Sequence, residues 1–156
     1  MRRPGDGLPP QAAPIVKGWI QSADLSVKQM GSLELERALA LFRDSDWDGE
    51  LVRQAELERA GADSCPPGLG IVNDFGPFII HLCPLPDDRL LVHYHFQARS
   101  GLAKWLGHQR THTVEDAPRD AVKGILGRFY LSDHDELMSE LERLGRSATA
   151  GGAPRE

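Results

Sequence analysis

The stretch FIIHLCPLPDDRLLVHYHFQ, residues 78–97, reads as a β-hairpin and decides the fold. Two apolar runs rich in β-branched and aromatic residues flank PLPDD, whose prolines and aspartates are turn formers. If Pro86, Asp87 and Asp88 make a three-residue loop, Leu85 faces Arg89. That register pairs Ile80 with Tyr94, Leu82 with Val92 and Phe78 with Phe96. Side chains alternate with a period of two along a strand, so these six share one side. A one-sided apolar pattern of this kind belongs to a sheet packed on helices.

The same register sets His81 opposite His93, with His95 two residues further along on the side away from the apolar one. Imidazoles that converge within about 5–8 Å across a hairpin have the reach to hold zinc or a similar divalent metal. His112, in the later segment HQRTHTV, supplies a fourth candidate ligand. Such a site resembles a three-histidine zinc centre in ligand type only. The plainer reading is that histidine, with an apolar ring and a polar tip, sits well on a half-exposed sheet. A slip of one residue in register dismantles the cluster.

Outward from the hairpin, LGIV before it and HQRTHTV after it extend the sheet, and IVKGWIQ with Trp19 is a short strand or a docked extended segment. On the N-terminal side a helix is expected after Ser32 as its cap, with Leu35, Ala38, Leu39 and Phe42 on one side, ending near Arg43. A second helix runs from about Trp47 to Ala60, capped by Asp46 or Ser45 and stopped by Gly61. On the C-terminal side, a helix after Pro118 carries Ala121, Ile125 and Phe129. The last helix opens at Asp133 with Glu136 placed for a capping box and carries Leu137, Leu141 and Leu144. The fold class is therefore α+β: an antiparallel β-meander of three to four strands packed against N-terminal and C-terminal helices. The expected organisation is a flexible arm over 1–14, a single α+β domain over 15–145 and a disordered tail over 146–156.

Composition narrows the classes of function. The 156 residues are 40% hydrophobic and 26% charged, with a formal net charge of -5. That acidic balance argues against a nucleic-acid partner, which asks for a surplus of Lys and Arg. No apolar run approaches the roughly 18 residues that span a bilayer. The N-terminal MRRPGDGLPP has no apolar stretch of the kind a secretory signal needs, so a cytoplasmic location without a membrane partner is expected. Cys65 and Cys83 form no CxxC pair and are expected as reduced thiols.

Several motifs are incomplete. In FRDSDWDGELVRQAEL, residues 42–57, Asp44, Asp46, Asp48 and Gly49 match positions 1, 3, 5 and 6 of a calcium-binding EF-hand loop. Position 12 is Ala55, and Glu56 arrives one residue late, about 100 degrees away round a helix, so the bidentate ligand is missing. Calcium binding is not expected, and the acids are expected to cap the second helix. GLGIVNDFG leads into strands, whereas a phosphate cradle needs a helix N-terminus. Cys65 and Ser100 lack the surroundings of a nucleophile, and no catalytic residue is assigned.

Between the last two expected strands, QARSGLAKWLGHQRTH displays Arg99, Lys104, Trp105 and Arg110. Aromatic and arginine side chains are enriched where proteins grip one another. The leading functional expectation is a small acidic protein that binds another protein, as an inhibitor, immunity-type partner or adaptor, with no enzyme activity and no cofactor. The alternative is a metal-binding protein or metal-dependent enzyme built on His81, His93, His95 and His112.

Overall fold

The computed structural model describes residues 15–73, 78–97, 102 and 107–150. Strands β1 (Val16–Gln21) and β2 (Val27–Ser32) come first, followed by helices α1 (Leu35–Asp44) and α2 (Trp47–Arg59). Strands β3 (Gly68–Asn73), β4 (Phe78–Leu85), β5 (Arg89–Gln97) and β6 (Gln109–Pro118) come next. A 3-10 turn over Arg119–Ala121 leads into α3 (Val122–Tyr130), and α4 (His134–Ala150) closes the described chain. The strands form one antiparallel sheet in the order β2-β1-β3-β4-β5-β6. The fold is α+β, with six strands where three to four are expected from the sequence.

The added strands explain the shortfall. β1 is the segment around Trp19. β2, VKQMGS, is an edge strand with almost every side chain exposed, so burial imposes no apolar alternation on its sequence. Its presence also moves the start of α1: Ser32 ends β2, and α1 begins after Glu34, whose side chain makes no capping bond. Leu33 joins the two, because its amide donates to the Val16 carbonyl at 2.8 Å and its side chain occupies the space that a Cβ on Gly18 would need.

The central hairpin has the register read from the sequence, with Leu85 opposite Arg89, Leu82 opposite Val92, His81 opposite His93 and Ile80 opposite Tyr94. Asp87 and Asp88 turn the chain with φ of 60° and 55°, a left-handed conformation that Asp tolerates better than most residues. Arg119 clasps this turn. Its guanidinium donates to the Leu85 carbonyl at 2.6 Å and its amide to the Asp88 carbonyl at 2.8 Å.

One side of the sheet makes the core. Leu69, Ile71, Ile80, Leu82, Val92, Tyr94 and Val114 are buried there with Ala38 and Phe42 of α1, Ile125, Leu126 and Phe129 of α3, and Leu137, Leu141 and Leu144 of α4. From α2 only Trp47 is buried, so most of that helix stands outside the core. Its N-terminus is capped as expected, with Asp46 accepting from the Gly49 amide at 3.0 Å. Asp133 caps α4 in the same way, accepting from the Glu136 amide at 3.1 Å. α4 continues through Ala150, past Arg146 where the tail is expected to begin, with the hydroxyls of Ser147 and Thr149 bonded to carbonyls within the helix.

Candidate functional site

The helices fix which side of each strand is core, and alternation then fixes what the opposite side displays. Trp19, Val72, Ile79, Cys83 and Leu91 all stay outside the core cluster. Pairing through the sheet lines up Gln29, Trp19, Gly70, His81, His93 and Thr113 as one row across all six strands. A parallel row runs Lys17, Val72, Ile79, His95 and Thr111. These rows contain one lysine and no carboxylate, in a chain that has 23 Asp and Glu. The buried side chains of the described helices belong to the core on the opposite side.

The strands shape this surface locally. Gly70 lies in β3 between Trp19 and His81, and a Cβ there would run into the indole. The missing side chain lets Trp19 lie flat over the strand and stack on His81, with ring centroids 6.3 Å apart. Gly68 is similarly crowded by the His81 imidazole and the Cys83 thiol. Aromatic mass therefore fills the middle of the sheet without projecting from it. Trp19, Val72, Ile79, Leu91 and the three histidines are each half-buried by their neighbours.

The histidines are held apart by their own partners. Thr113 Oγ1 lies 3.2 Å from His93 Nδ1, and Thr111 Oγ1 lies 2.8 Å from His95 Nδ1. Burial, reinforced by the neighbouring His93 and His95, pushes the His81 imidazole down to about 4. Burial first and His95 second also lower His93. Desolvation penalises the charged ring and crowding adds to that, so both groups are neutral at pH 7. The Cys83 thiol, 3.5 Å from His81 Nδ1, is pushed up to about 12 by burial and by nearby Cys65, which leaves it protonated and unreactive.

Among the described residues no three His, Cys, Asp or Glu side chains are placed to share a metal ion. His112 pairs with Tyr94 and so belongs to the helix side, across the sheet from His81, His93 and His95. The three aspartates of the truncated calcium motif take other tasks. Asp44 ends α1 and binds Arg43 at 2.8 Å, Asp46 caps α2, and Asp48 lies in the first turn of that helix. Only Ser45 and Asp46 separate the two helices, so the remaining loop positions are already helical. Arg99, Lys104 and Trp105 lie outside the described residues. Arg110 is exposed on β6, opposite Phe96.

Two further features belong to the helix side. An open groove of about 1000 Å³ is lined by Phe42, Trp47, Asp48, Asp88, Arg119 and Val122, with Arg119 Nη1 3.8 Å from Asp48 and 3.7 Å from Asp88. Tyr94 Oη meets His134 Nδ1 at 2.9 Å beside a cavity of about 10 Å³, room for about one water and for no substrate. The sequence reading missed Trp19, Ile79 and Leu91 as surface features. The signal for Ile79 is in β4, where FIIHLC is apolar on both sides, a pattern that belongs to strands covered on both faces.

Comparison of the chain with protein-family models, with curated proteins and with solved structures finds no match.

Proposed function

We propose that this protein works by binding protein through the helix-free side of its sheet, without catalysis of its own. One observation carries the reading: the rows built on Trp19, Ile79, His81 and His93 are rich in aromatic and apolar side chains and free of carboxylates on an acidic chain. Depletion of charge with enrichment of aromatic side chains marks the centre of protein interfaces. The rim supports it too. Gln29, Thr111 and Thr113 are uncharged hydrogen-bonding groups at the margins of the sheet. An inhibitor or adaptor role, as expected from the sequence, rests on this surface.

The test is site-specific photo-crosslinking in extract of the native cell. A photoreactive phenylalanine analogue replaces Leu91 on this side or Val52, which is 58% exposed on α2. The reading predicts a discrete protein adduct from position 91, lost in the Ile79→Glu background and absent from position 52. Equal labelling from both positions, or none from position 91, contradicts it. Mass spectrometry of the adduct identifies the chain captured.

A further inference from the structure

The identity of the bound protein follows from the hydrogen-bonding character of the same surface, and the inference rests on the reading that this side binds protein. We infer that its occupant is a second copy of this chain, stacked sheet to sheet about a two-fold axis.

Charge is the first argument. A chain with net charge -5 meets its own copy against repulsion wherever carboxylates face one another. The two central rows of the helix-free side carry none, and their only charged member is Lys17, beside Val72. Along these two rows self-contact brings no acid against acid, while Glu115 and Asp116, in the β6 bulge beside Leu91, stand at the margin, where Asp116 pairs with Arg89.

The second argument is the kind of polar group present. Glutamine amides, threonine hydroxyls and neutral imidazoles each donate and accept hydrogen bonds. Gln29, His81, His93, Thr111 and Thr113 are all of this kind. A two-fold interface sets this group of side chains against a second copy of itself, so members with both capacities can satisfy one another there.

Size is the third. Six strands at about 4.8 Å spacing and about 3.3 Å per residue give a patch of about 25 Å by 25 Å, roughly 600 Å² in projection. Two such faces bury about 1,200 Å² in all, the lower limit for a specific interface. A flat sheet needs an equally broad and flat cover, and aligned sheets stack about 10 Å apart. Trp19, flattened over Gly70, leaves the middle level enough for that approach.

Sedimentation equilibrium of the full chain at pH 7.5, from 1 to 200 µM, tests the inference. The expected result is a species of twice 17.2 kDa, with Leu91→Glu raising the dimer dissociation constant at least 100-fold and Val52→Glu changing it less than threefold. A wild type that stays monomeric to 200 µM overturns the second copy. So does a dimer that Val52→Glu breaks and Leu91→Glu leaves intact. If the chain is monomeric while position 91 still captures a different protein in extract, the second copy is wrong and the protein-binding reading stands. If position 91 captures nothing, both fail.

Discussion

His81 shows how one side chain's environment reaches the stability of the whole fold. In the unfolded chain its pKa is near 6.5, and in the folded chain burial and its histidine neighbours hold it near 4. The folded state therefore binds its proton less readily, so this contribution is complete above about pH 6.5 and is lost as pH falls toward 4. At 1.36 kcal/mol per unit the loss amounts to roughly 3 kcal/mol. Urea unfolding of wild type and His81→Gln between pH 7 and pH 4 checks this. The wild type should lose more stability than the variant across that window, and parallel curves would place His81 in water. Its neighbour Cys83 should resist alkylation in the folded protein, since burial holds the thiol protonated.

At the scale of elements, the hairpin was legible and the first hairpin was not, for one physical reason. β4 and β5 are central strands, so burial writes their alternation into the sequence, and turn residues fix their register to the residue. β2 is an edge strand whose side chains face solvent, and nothing in VKQMGS records its pairing. The candidate surface was half legible for a related reason. The hairpin register carries His81 opposite His93, but no turn in the sequence ties Ile79 and Leu91 beside them to Trp19, two strands away from His81. HQRTHTV follows no tight turn that would fix its register, so the sequence leaves the side of His112 open, and its pairing with Tyr94 turns it to the helix side. Tyr94 itself is buried among Phe78, Phe96, Phe129 and His134. Tyr94→Ala should therefore cost about 3–5 kcal/mol in chemical denaturation, and His93→Ala under about 1 kcal/mol, because only the first opens a cavity. The left-handed turn gives a second check. Asp87→Gly should be neutral or stabilising by up to about 1 kcal/mol, while the β-branched Asp87→Val should cost about 1–2 kcal/mol at φ 60°.

The whole molecule is a sheet with two unlike sides: helices bury one, and the account holds that another protein chain covers the other. Ile79 and Ile80 are adjacent on β4 and point to opposite sides, so the same substitution at each position separates the two roles. Ile80 is fully buried, and a glutamate there places an unpaired charge in the core at a cost of several kcal/mol. The decisive measurement is thermal melting and protein association on the same samples of Ile79→Glu and Ile80→Glu. The account predicts that Ile80→Glu abolishes a cooperative melt, whereas Ile79→Glu melts cooperatively within about 5 °C of the wild type, the shift of one or two kcal/mol in a chain of this size, and no longer associates. An Ile79→Glu protein that associates normally, or that unfolds as completely as Ile80→Glu, would contradict it.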